Sequence, residues 1–96
     1  MTTHVIGLIQ LRDSSAFEIY RAQVGATVEA FGGRIHFRGE LCALPWNELH
    51  CDPFDAVVDI VFPDESSARA WSTSPAYQQL IDIRSKAMKL TLFLAK

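Results

Sequence analysis

Ninety-six residues make one domain, numbered 1–96; Lys plus Arg number 9 against 11 Asp plus Glu, a formal charge of −2, and 49% of the chain is hydrophobic. That composition is globular rather than disordered, and the length excludes two-domain enzymes and long nucleotide-binding folds. The slightly acidic balance leaves no electrostatic footprint for nucleic acid or anionic lipid.

At the N-terminus no basic region precedes the apolar stretch, which Gln10 and Arg12 interrupt, so no signal peptide is expected. No apolar run approaches the ~18 residues of a membrane span. The expected setting is cytoplasmic, with Cys42 and Cys51 as thiols. Residues 4–11 read as a strand with Ile6 and Leu8 on one side and Val5, Ile9 and Leu11 on the other, so both of its faces must be covered.

Asp13 or Ser15 can cap the helix that follows, and Ser15 with Glu18 has capping-box spacing. Phe17, Tyr20, Val24, Thr27, Val28 and Phe31 form its apolar stripe, Gly25 weakens it, and Gly32-Gly33 ends it. Residues 34–44 alternate as a second strand, with Ile35, Phe37 and Leu41 pointing one way and Arg34, His36, Arg38 and Glu40 the other. A loop with two prolines spans 45–54, and 55–62 is the third strand. Asp64 caps a helix carrying Ala68 and Trp71; Ser74-Pro75 breaks it and starts another, with Tyr77, Leu80, Ile81, Arg84 and Met88 on one face. Residues 90–95 are the last strand.

The order β-α-β-β-α-β is the ferredoxin-like plan, an α+β fold: a four-stranded antiparallel sheet with helices on one face. Two helices cover only one face. The other, roughly 400 Å² in projection for four strands of about seven residues, exceeds what monomers usually expose. A homodimer with sheets packed face to face is therefore expected.

Taken together, Tyr20-Arg21, Val24-Gly25-Ala26-Thr27, Phe31-Gly32-Gly33-Arg34 with Arg38-Gly39, Phe62-Pro63, Ala70-Trp71 and Ser74-Pro75-Ala76-Tyr77 follow an order and spacing that resembles the domain of unknown function 1330 family, within the dimeric α+β barrel group. The resemblance runs nearly end to end. It implies a face-to-face dimer and no particular reaction; related barrel families include cofactor-free monooxygenases, isomerases and dehydratase-like proteins. Gly25 stands where the family usually has Pro. Leu44-Pro45-Trp46-Asn47 replaces its frequent Leu-Glu-Gly turn, so a role tied to that acidic residue does not carry over.

Two constellations carry chemistry. Arg34, His36, Arg38 and Glu40 on one strand face could hold a carboxylate, with His36 moving a proton, or could simply pair with Asp55 and Asp59 of the next strand. Trp71, Ser74 and Tyr77, with Tyr20 and Arg84 in reach, could wall a small-molecule pocket, or could be core anchors with satisfied polar tips. The Pro75 helix start could also offer free N–H groups to an anion.

His36, Cys42, His50, Cys51 and Asp52 lack the spacing of a zinc site, and no metal is expected. Gly32-Gly33 precedes a strand rather than opening a helix, so no dinucleotide and no other cofactor is expected. The resulting expectation is a cofactor-free dimeric barrel acting on a small organic acid or aromatic compound. His36 and Tyr77 are the candidate catalytic groups, and Tyr20, Arg34, Arg38, Trp71, Ser74 and Arg84 the candidate ligand contacts. The alternative is a non-catalytic dimerisation module.

Overall fold

The Ala87 carbonyl accepts two N–H groups from the far end of the chain, Arg12 at 2.8 Å and Asp13 at 3.1 Å. This knot ties the first strand–helix corner to the last helix–strand corner in a computed structural model that describes residues 2–96. The elements are β1 Thr3–Leu11, α1 Ser14–Glu29, β2 Arg34–Glu40, β3 Ala56–Phe62, α2 Glu65–Ser72, α3 Pro75–Gln78, α4 Ile81–Ala87 and β4 Met88–Ala95. All ladders are antiparallel in the order β2-β3-β1-β4. The chain has the ferredoxin-like α+β fold, with its second helical segment in three pieces.

Local chemistry sets the corners. Asp13, not Ser15, caps α1: its carboxylate accepts the Ala16 N–H at 3.0 Å. Gly32 takes the left-handed conformation (φ 79°) after the helix, and the Gly33 N–H returns to the Val28 carbonyl at 3.1 Å. Asp64 caps α2 through the Ser67 N–H at 2.7 Å, and Ser74 caps α3 ahead of Pro75. The face expected to run from Tyr77 to Met88 is interrupted, because α3 ends at Gln78 and Met88 already opens β4. The captured Ala87 carbonyl marks where helix hands over to strand.

Val5, Ile9, Ile60 and Phe62 on one side of the sheet pack against Tyr20, Val24 and Val28 of α1, with Trp71, Tyr77 and Leu80 closing the layer. The opposite side carries Ile6, Leu8, Val57 and Phe93, and among the described residues no helix lies over it.

The expected two-sided alternation of β2 fails at one residue. Ile35 pairs with Ile60, but Phe37 pairs with Asp59, so a bulge at His36 shifts the register. Beyond it every side chain changes face. Phe37 leaves the core side and is 56% exposed on the open face, while Arg38 and Glu40, opposite Val58 and Ala56, turn to the helix side.

Candidate functional site

That bulge builds the site. Arg38, expected beside Arg34, instead enters a cavity of about 300 Å³ between α1 and the β2–β3 side of the sheet. Ile9, Phe17, Val24, Ile35, Val58 and Ile60 supply apolar walls, and Tyr20, Arg21, Arg38 and Glu40 supply the polar groups. Among the described residues Arg38 makes no ion pair or hydrogen bond to a side chain. Burial, then the neighbouring charge of Arg21, holds its pKa below the usual guanidinium range. Among the described residues the one ion-pair partner of Arg21 is the exposed Glu18, at 3.5 Å.

Tyr20 connects this cavity to the helical layer. Its hydroxyl lies 3.0 Å from that of Tyr77, and Arg84 Nη1 donates to the Tyr77 oxygen at 2.9 Å. The two rings meet edge to face at 6.5 Å. Burial, then Tyr77, pushes the Tyr20 pKa well above the ordinary phenol value, with Arg84 and Arg38 acting the other way. Tyr20 is therefore a neutral hydroxyl and a hydrogen-bond donor, not a base.

The remaining expected residues lie elsewhere. Trp71 is 1% exposed, packed on Phe62 and Tyr77 at 5.5 and 4.4 Å, and its indole N–H donates to Thr27 Oγ1 at 3.0 Å. The space around it is filled. Ser74 donates to the Trp71 carbonyl at 2.8 Å and accepts the Tyr77 N–H at 3.2 Å, so its own hydroxyl takes up an N–H of the α3 start that could otherwise meet an anion.

Arg34 donates to His36 Nδ1 at 3.2 Å on the exposed outer part of β2, apart from the cavity. Neither reaches Asp55 or Asp59 among the described residues: Asp55 accepts the Leu11 N–H at 2.8 Å, and Asp59 meets His4 Nδ1 at 2.9 Å on the open face. Cross-strand pairing of the β2 charges is thus not what forms. Nothing in the spacing singles out Arg21 as a contact beyond its place in the Tyr20-Arg21 pair; one helical step from the buried face, it joins the cavity lining.

A larger cleft, about 560 Å³, wraps the β1–β4 end between Gln10, Arg12, Asp52, Arg84 and Lys89. Leu8, Phe54, Met88 and Leu90 supply its apolar walls, and its lining is more evenly mixed with polar groups than that of the cavity under α1. In the loop, Asn47 bonds the Cys51 backbone in both directions, and Cys42 and Cys51 are exposed free thiols. Among the described residues no three His, Cys, Asp or Glu side chains gather as a metal site, and no helix is long and apolar enough to cross a membrane.

The model of the family described as Domain of unknown function (DUF1330) matches residues 2–96. The chain belongs to that family. No curated protein matches the sequence. Among solved structures, a protein of unknown function from Rhodopseudomonas palustris superposes with a TM-score of 0.80 at 19% identity, covering 99% of this chain and 81% of its own. A mutant of SnoaB, a cofactor-independent oxygenase from Streptomyces nogalater, gives 0.71 at 12% identity over 99% of this chain and 91% of that one. A dimeric ferredoxin-like protein of unknown function from Jannaschia sp. CCS1 gives 0.68 at 9%, over 100% and 99%. At these identities the likeness establishes the fold.

Proposed function

We propose that this member of the family is a homodimeric small-molecule protein whose cavity under α1 takes a small organic acid or aromatic anion. The observation that carries this reading is Arg38, an exposed guanidinium turned by a strand bulge onto the wall of a largely apolar cavity, without a side-chain partner among the described residues and beside a second cation, Arg21, with Glu40 the one carboxylate on the same lining. Arg21 and Arg38 are both exposed, and their like charges disfavour each other at the cavity edge; an anion relieves both. The volume stands at the lower end of small-molecule pockets, about 300–1,000 Å³. Side chains alone supply the binding, and the fold-level likeness to a cofactor-independent oxygenase is an analogy in the same direction.

Dimerisation through the open face accounts for what the helices leave bare. Ile6, Leu8 and Val57 lie there with Phe37 and Phe93, the two rings 56% and 44% exposed. Relatives in fold include proteins described as dimeric. Pairing two such faces about a two-fold axis removes both from water while leaving the cavity on the helix side open.

Calorimetric titration with benzoate and 4-nitrophenol tests the ligand reading. Wild type is expected to bind, and Arg38→Gln to bind at least tenfold more weakly, since a hydrogen bond to a charged partner contributes about 1.5–3 kcal/mol. A wild type inert to both compounds favours the assembly-only module instead.

A further inference from the structure

Donor and acceptor chemistry sets a direction on the Tyr20–Tyr77–Arg84 chain. Arg84 can only donate, so the Tyr77 oxygen accepts from it. One proton lies between the two phenols, 3.0 Å apart, and one O–H is left over. If Tyr20 donated, the spare O–H would belong to Tyr77, which is 2% exposed and has no second acceptor among the described residues. A buried donor without an acceptor is costly. If Tyr77 donates to Tyr20, the spare O–H belongs to Tyr20, the one phenol of the pair that lines the cavity. The second arrangement satisfies Tyr77 and leaves the spare O–H on Tyr20, which is also buried (9% exposed) but borders the cavity, where a ligand can accept it. Its hydrogen bonds run head to tail from a cation, so each polarises the next.

We infer that Arg84, Tyr77 and Tyr20 form an oriented hydrogen-bond relay that presents the Tyr20 O–H to the cavity, so that the ligand carries an anionic oxygen conjugated to a flat apolar body. This deepens the ligand reading above and rests on it. Tyr20 is the contact that grips the oxygen. Tyr77 and Arg84 are positioning residues that touch no ligand; they hold the Tyr20 oxygen as an acceptor and free its proton for the cavity. Arg38, on the opposite wall, neutralises the charge. The apolar walls of Ile9, Phe17 and Val58 suit a ring rather than a polyol. Phenolates and aromatic carboxylates share this chemistry, and paired probes separate them.

The probes are 4-nitrophenol, whose colour reports its ionisation, and benzoate. Wild type should bind the phenolate in preference to the phenol, seen as a fall in the dye's pKa on binding. Tyr20→Phe, which keeps the ring, should weaken phenolate binding about tenfold and return the bound dye's pKa upward by about one unit. Tyr77→Phe should move it less in the same direction. Arg84→Gln should do likewise, with Arg84→Lys partly restoring the wild-type value. A purely structural role would lower the melting temperature without moving the bound dye's pKa. Should Tyr77→Phe not fold, the Arg84 pair carries the same test.

Preference for benzoate over the dye, with the same loss in Tyr20→Phe, keeps the relay and assigns a carboxylate. Wild-type binding with Tyr20→Phe unchanged in affinity and bound pKa overturns the relay and leaves the cavity's ligand reading standing. A wild type that binds neither probe overturns that reading, and the relay falls with it.

Discussion

Trp71 on α2 reaches across the helical layer to Thr27 on α1, indole nitrogen to hydroxyl oxygen at 3.0 Å, and Thr27 in turn donates to the Val24 carbonyl at 2.7 Å. The contact joins the two halves of the β-α-β repeat behind the sheet. Trp71→Ala should cost about 3–5 kcal/mol, the usual range for emptying a large aromatic site. Thr27→Val keeps the shape and leaves the indole N–H without its acceptor, which should cost about 1–3 kcal/mol. Urea melts of the two variants check both figures; a Thr27→Val variant as stable as wild type would falsify the role given to this hydrogen bond.

Two glycines of the same corner region should respond oppositely to alanine. At Gly25, inside α1, an added Cβ meets nothing within 4 Å, so Gly25→Ala should stabilise by about 0.5–1 kcal/mol through helix propensity. At Gly33 the same atom would lie 2.6 Å from the Phe62 ring and 2.9 Å from Val28, both fully buried. Gly33→Ala should destabilise by about 1–3 kcal/mol, as overpacking does. Thermal or urea unfolding of the pair gives the signs directly.

The C-terminal residue is clamped by Glu65, which accepts from Lys96 Nζ at 2.8 Å and from Arg69 Nε at 2.6 Å. Lys96 first, then Arg69, lowers the Glu65 pKa from 4.5 to about 2. A carboxyl depressed in the folded state binds protons more readily when unfolded. Its contribution is thus present above pH 4.5 and is lost as pH falls from 4.5 towards about 2. The group is exposed, so the effect should be small and should shrink in high salt. Stability of wild type and Glu65→Gln, compared from neutral pH down to pH 2, should converge across that window; a constant gap at all pH values would count against the clamp.

Phe37 and Gly39 supply the test of assembly. The Phe37 ring lies over Gly39, where an added Cβ would stand 2.7 Å from its tip. Being exposed, the ring can move aside, so Gly39→Ala should fold normally but tilt Phe37 out of the open face. Phe37→Asp places a charge there outright. Sedimentation should give twice the chain mass for wild type, weaker association for Gly39→Ala, and one chain mass for Phe37→Asp. A dimer undisturbed by Phe37→Asp would move the interface elsewhere.

Much of this molecule is legible in one dimension. Strand and helix order follows from period-2 and helical spacing, Asp13, Asp64, Ser74-Pro75 and Gly32-Gly33 mark the corners, and a first strand apolar on both sides announces a sheet needing cover on both faces. Those signals are local, set by side-chain sterics and by backbone hydrogen bonds that residues a few positions away must satisfy. The face on which Arg38 stands is not local. It depends on a single extra residue at His36, whose bulge is decided by how β2 fits against β3, and one residue of register exchanges every side chain beyond it between cavity and open face. In the same way, Tyr20 and Tyr77, 57 positions apart, meet only because α1 and α3 pack over one sheet. Sequence alone determined the architecture and the inventory of chemical groups; tertiary structure decided which of them share a cavity, because strand register and helix packing are properties of contacts between segments and not of any one segment.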